Sequence, residues 1–200
     1  MNTNSILSKM NKAEFLVLFY LLQDKDHVGK SYRDIAAATG VSLGSVHTTM
    51  ADLSERGYLV ASGRGRALRK CSSLVDWWAR GYADMLKRKC FLSRFTFLTA
   101  QVREQWQEID LFDSLTWGGE PAAALMGYPI QPGRWDIYTP DNANALILTG
   151  RMIPNPSGEI YVFKKFWNTP GIPLMVVYAD LLYSDDSRCR EVAQMIKTKL

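Results

Sequence analysis

The sequence predicts an α+β fold in two domains joined by a helix. Three observations lead there. Apolar residues recur at helical spacing through the first third of the chain. A glycine-punctuated basic segment, SGRGRALRK, follows. Beyond Ser93, short strand-like runs alternate with helical ones.

At 200 residues, 47% hydrophobic and 22% charged, the chain is long enough to bury a core in one large domain or two small ones. No run approaches the roughly 18 to 20 apolar residues that span a bilayer, and MNTNSILSKMNK lacks the pattern of a secretory leader. A cytoplasmic protein with no membrane partner is expected. Cys71, Cys90 and Cys189 form no CxxC pair, and His27 and His47 are the only histidines, which leaves a zinc site or a histidine-based triad almost nothing to be built from. No cofactor or metal is expected. The charge is uneven: residues 1–95 hold 15 Lys and Arg against 8 Asp and Glu, a balance of +7, while residues 96–200 hold 9 against 12, a balance of −3. A polyanion would meet the first half.

The first element is NKAEFLVLFYLLQ, where Phe15, Val17, Leu18, Phe19, Leu21 and Leu22 make a wide apolar stripe behind Asn11 as N-cap. In SYRDIAAATG, Ser31 with Asp34 three residues on starts a short second helix, and Gly40 stops it. After a turn of three residues, SLGSVHTTMADLSERG is capped by Ser42, ends at Gly57, and repeats Leu43, Val46, Met50 and Leu53 at helical spacing. Opposite that stripe lie Gly44, Thr48 and Glu55, with Ser45 beside them and His47 and Thr49 on the flanks. Helix, capped short helix, tight turn and a helix with small polar residues at its outer N-terminal end is the helix-turn-helix pattern.

YLVASGRGRALRK reads as a hairpin that turns at Gly63 and Gly65, and a hairpin after that third helix makes a winged helix. The candidate DNA-binding residues are therefore Ser42, Ser45, His47, Thr48 and Thr49 on the helix, and Arg64, Arg66, Arg69 and Lys70 on the wing. Three-helix units of this kind also serve as protein-interaction modules. SSLVDWWARGYADMLKRKCF then reads as one linking helix with Leu74, Trp77 or Trp78, Tyr82, Met85 and Leu86 on one face, a core or a dimer interface. Its Lys87, Arg88 and Lys89 complement the helix dipole or make a second DNA contact. The expected boundaries are a winged helix-turn-helix over 1–70, the linking helix over 71–92, and an α+β domain over 93–200.

In that last domain TAQVREQWQEID is helical, LTWGGEPAAALMGY is a glycine turn opening a helix, and RWDIYT and NALILTG are strands. RMIPNPSGEIYVF is a hairpin about NPSG, PLMVVYADLL is a buried strand, and DSRCREVAQMIKTKL is a closing helix with Val192, Met195 and Ile196 inward. WGGEPAAALMGY with RWDIYT resembles the nucleotidyltransferase fold, in which a glycine-rich turn opens a helix and the next strand carries D-x-D. Two carboxylates two apart on a strand share a face and hold divalent metals. Here Asp136 is the first carboxylate and Tyr138 stands at the second, so an active transferase needs Glu159 or another acid. A degenerate, non-catalytic relative of that fold fits the spacing, as does a structural pair of glycines capping a helix.

VDWWARGYADMLKRKCFLSRF, LTWGGEPAAALMGY, RWDIYT, GEIYVFKKFW and PLMVVYADLLYSDDSRCREVAQMI resemble, in order, the C-terminal part of AbiEi-type antitoxins of type IV toxin-antitoxin systems. That resemblance implies a repressor of its own operon that binds operator double-stranded DNA, with a nucleotidyltransferase-like toxin as partner; a palindromic operator would require two winged helices, a homodimer on DNA. A stand-alone repressor and an active nucleotidyltransferase with an appended DNA-binding domain are the alternatives.

Overall fold

In the computed structural model, which describes residues 10–200 apart from Arg64, Asp113 and Asp141, Asn11 and Glu14 exchange backbone-to-side-chain hydrogen bonds of 2.8 and 3.0 Å ahead of helix α1 (Lys12–Gln23). This reciprocal cap satisfies two orphan N–H groups of the first turn. Ser31 caps α2 (Tyr32–Thr39), which stops at Gly40 with φ 68°, and Ser42 caps α3 (Leu43–Glu55). The two strands β1 (Leu59–Ser62) and β2 (Gly65–Leu68) then pair antiparallel.

Phe15, Leu18, Ile35, Val46, Met50 and Leu53 are buried where α1, α2 and α3 meet. The chain divides into two compact units, one running to Tyr82 and the other spanning Ala83–Lys199. Helix α4 (Cys71–Gly81), read from the sequence as part of the linking helix, packs into the first unit: the Trp78 ring stacks on Phe15 at 5.0 Å, Phe19 at 5.3 Å and Tyr82 at 5.6 Å. Burying an indole and three other rings together is worth several kcal/mol, roughly 25 cal/mol per Å² of apolar surface. Trp77 packs under Arg56, whose guanidinium lies 4.9 Å from the ring.

A single regular helix to Phe91 does not form. α4 ends at Gly81, and a π-helical turn (Tyr82–Lys87) and α5 (Arg88–Cys90) follow. A π turn carries one extra residue, which offsets later side chains by about 100° from an α-helical wheel. Met85 and Leu86, expected on the Trp78 face, are accordingly only half-buried.

The second unit is built on a five-stranded sheet ordered β4 (Thr116–Gly118), β5 (Trp135–Thr139), β7 (Ile160–Lys164), β3 (Phe91–Phe97), β6 (Met152–Pro154); only β5 and β7 run parallel. Trp135, Ile137, Ile160, Val162, Phe95 and Phe97 point to one face, into a core completed by Trp106, Leu111, Trp117 and Leu146. That cover comes from α6 (Ala100–Glu104), the loop after it and α8 (Asn144–Leu148). Asp136, Tyr138, Tyr161 and Phe163 take the opposite face by the period-two alternation of a strand. There α7 (Gly119–Leu125) packs on β5, α9 (Leu174–Leu182) lies beside α7 and β4, and α10 (Ser187–Lys197) packs on α9.

Four expectations are corrected. NALILTG is helix α8, started by Asn142 accepting from Asn144 N–H and stopped at Gly150 with φ 64°. PLMVVYADLL is helix α9, buried from Met175 to Leu181, so its apolar run carried no period to distinguish helix from strand. β6 and β7 are not a hairpin, because β3 lies between them. The NPSG turn crosses β3, with Asn155 N–H donating to the Arg94 carbonyl and Arg94 Nε donating to the Gly158 carbonyl. Gly158 sits so close to the Phe95 backbone that a Cβ has no room. Finally, Met195 is exposed, while Val192 and Ile196 point inward with Cys189 and Ala193. Among the described residues, no helix is long and apolar enough to cross a membrane.

Candidate functional site

Two regions carry chemistry-bearing side chains, one in each unit. In the first, the N-terminal end of α3 is polar and open. Ser42 accepts from Ser45 N–H at 3.1 Å, and the two hydroxyls lie 2.9 Å apart. Thr48 donates to the Gly44 carbonyl at 3.1 Å. Ser42, Gly44, His47 and Thr48 are exposed and Ser45 is half-buried. A cavity of about 310 Å³ lies between the first turns of α1 and α3, lined by Asn11, Ala13, Ser42, Gly44, Ser45, Thr48 and Thr49. Both helices begin there, so the positive ends of two helix dipoles converge on a surface with small side chains.

Thr49 lines that cavity too but is otherwise covered. It is 3% exposed, while Leu43, expected inward, is 39% exposed at the first position of the helix. The helical wheel misplaces Leu43 because it stands in the first turn, ahead of Val46, Met50 and Leu53, through which α3 packs on α1 and α2. On the hairpin, Arg69 and Lys70 are exposed, and Lys70 adopts a left-handed backbone, φ 53°. Arg66 is half-buried and turned back on its own unit: Nε donates to the Val28 carbonyl at 3.1 Å and Nη2 to the Lys30 carbonyl at 2.6 Å. Arg64 falls outside the described residues.

The second region is a pocket of about 630 Å³ in the second unit. Asp136, on the helix-covered face of β5, accepts from Lys87 Nζ at 3.0 Å and Arg134 Nε at 2.7 Å. The second carboxylate beside it comes from Asp180 on α9, not from position 138 and not from Glu159, which accepts from Thr96 instead. Asp180 accepts from Lys87 Nζ at 2.7 Å, from the Tyr138 hydroxyl at 2.9 Å and from Gly119 N–H at 3.2 Å. Phe91, Tyr161 and Phe163 form an aromatic wall, with the Arg134 guanidinium 3.9 Å from the Tyr161 ring.

Burial pushes the Asp136 carboxyl up, but Lys87 and Arg134 outweigh it and hold the group below 3.8. Burial also raises Asp180, and there Lys87 and Tyr138 offset it only in part, so its carboxyl stands above 3.8. Burial pulls Lys87 down, yet the two carboxylates hold its ammonium above 10.5. The cluster is thus neutral as built, with two carboxylates against two cations. Its acids are charge-compensated by protein side chains, which is the opposite of the excess negative charge that holds a divalent metal.

The glycines shape this cluster. Gly118 leaves room for the Tyr138 ring, which a Cβ would strike, and Gly119 adopts φ 48° so that its N–H meets Asp180. Lys87 and Asp180 were missed as site residues. The signal for Asp180 was a lone carboxylate inside the apolar run LMVVYADLL, a charge that needs a partner once buried.

A family model described as "Transcriptional regulator, AbiEi antitoxin, Type IV TA system" matches residues 67–200. No curated protein and no solved structure matches the chain.

Proposed function

The chain belongs to the AbiEi family of antitoxins and transcriptional regulators of type IV toxin-antitoxin systems, and from that premise we propose that its first unit is a winged helix-turn-helix that binds operator DNA and represses the operon encoding it. The observation that carries the reading is the open polar end of α3 beside a hairpin with exposed cations. Ser42, Ser45, His47 and Thr48 are short enough for a helix to approach base edges closely, and Arg69 and Lys70 reach phosphates. A homodimer places two such helices about one turn of the duplex apart on a palindromic operator. The second unit counteracts a nucleotidyltransferase-like toxin encoded alongside. The neutral, internally paired pocket of Asp136, Asp180, Lys87 and Arg134 supports a binding rather than a catalytic role for it.

The test is binding of the purified chain to the duplex upstream of its own operon against a mixed-sequence duplex, across a series of salt concentrations, with a promoter reporter alongside. Preference for the upstream duplex together with repression supports the reading. Equal affinity for both, or no binding at low salt, sinks it.

A further inference from the structure

Resting on the reading that the first unit binds DNA, we infer that Arg66 is a positioning residue that clamps the hairpin onto the helical body, and not one of the phosphate contacts. Its place in the basic run SGRGRALRK suggests a free cation, but two of its N–H donors are already engaged within its own unit. Nε and Nη2 hold the carbonyls of Val28 and Lys30, at the end of the 3₁₀ turn His27–Gly29. Val28 lies within that turn and Lys30 directly after it, where the last carbonyls of a helical turn lack a helical N–H to accept from.

The guanidinium also lies 4.5 Å from the Tyr32 ring, and that ring meets His47 edge-on, centroids 4.5 Å apart at 82°. Tyr32 opens α2 and His47 sits on α3. A row of three side chains therefore runs from β2 through α2 to the helix proposed to read bases, and Arg66 is the one that crosses from the hairpin. Only a planar fork makes this contact. One face stacks on the tyrosine while the edge reaches two carbonyls, a geometry that a lysine ammonium cannot reproduce at equal charge. The exposed Arg69 and Lys70 are then placed for phosphates by a residue that touches none.

Charge conservation separates the two roles. Arg66→Lys, Arg66→Ala and Tyr32→Leu are titrated against the upstream duplex and a mixed-sequence duplex over salt from about 50 to 200 mM, and amide hydrogen exchange is followed at residues 59–68 and in α1. For a clamp, Arg66→Lys and Tyr32→Leu both weaken binding about tenfold, leave the slope of log K on log salt unchanged, and speed exchange in the hairpin while α1 keeps its protection. If Arg66→Lys instead binds like the parent and Arg66→Ala lowers the slope by about 0.9, Arg66 is a phosphate contact and the inference is overturned. It is equally overturned if hairpin exchange is the same in all four chains. Should the parent bind no DNA at low salt, the functional reading fails, and the exchange data still decide whether Arg66 holds the hairpin.

Discussion

Replacing Lys87 with methionine strips the ammonium from Asp136 and Asp180 while keeping most of the side-chain volume. The two carboxylates are 4% and 1% exposed and Lys87 20%, so the pair itself is largely shielded from water. Removing one partner of a buried ion pair costs about 3–5 kcal/mol. The low end applies here, because Arg134 still neutralises Asp136 and the Tyr138 hydroxyl and Gly119 N–H still donate to Asp180. A loss of about 3 kcal/mol at neutral pH lowers the midpoint of the second unit's unfolding by on the order of 10 °C.

The pH dependence gives the test its sign. Asp180 already stands above 3.8 when folded, and without Lys87 it stands higher still. Between the unfolded value near 4 and the folded value, the folded chain holds a proton that the unfolded chain has released, so stability falls as pH rises through that window. Asp136, held below 3.8, contributes with the opposite sign, and its share is lost only as pH falls through its lower folded value. The Lys87→Met deficit is therefore full at about pH 7 and smaller near pH 4, where only the Asp136 share of the pairing remains. Thermal and urea unfolding of both chains across that range measure it. Adding Asp180→Asn removes the buried charge and recovers most of the loss at neutral pH. A deficit under about 0.5 kcal/mol, or one independent of pH, refutes the ion-pair account.

Thr48→Ala is expected to change the ranking of operator variants by about 1–3 kcal/mol at one base position while leaving mixed-sequence binding intact, measured by competition titration. An equal loss on every duplex removes Thr48 from base reading. Reversing Arg69 and Lys70 to glutamate is expected to weaken binding on all sequences and to lower the salt slope by about 0.9 for each phosphate no longer neutralised, measured by anisotropy. Gly118→Ala drives a methyl group into the Tyr138 ring and is expected to cost about 1–3 kcal/mol in urea unfolding, with no effect on the salt dependence of DNA binding.

What the sequence made legible follows from how each element announces itself. The three N-terminal helices carry caps, Asn11, Ser31 and Ser42, and glycine stops at Gly40 and Gly57 with φ of 68° and 70°, so local chemistry alone delimits them. α9 has no such punctuation, because it is buried on nearly every side and its apolar run is as good a strand as a helix. The order of β6, β3 and β7 depends on a turn that crosses over a strand far earlier in the chain, and local patterning cannot report a pairing at that separation. The pocket was half legible for the same reason. Asp136 lay beside a recognisable glycine turn, whereas Lys87 and Asp180 join it from residues 49 and 44 positions away on either side, and Lys87 does so from a π turn that no helical wheel anticipates.

Tyr138 is where these lines meet. In a D-x-D strand the second position would put another carboxylate beside Asp136 on the same face, and two like charges so close need a cation or a shared proton between them. A tyrosine there keeps the direction of the side chain but reverses its role, from acceptor to donor, and its hydroxyl reaches both oxygens of Asp180. Lys87 supplies the positive charge that the two acids share. The strand, the glycine turn and the acids are thus arranged around internal hydrogen bonds and a fixed ammonium, a set whose members each satisfy another. The resulting pocket holds its charges paired with one another, and of its two cations Arg134, stacked on Tyr161, is the more exposed.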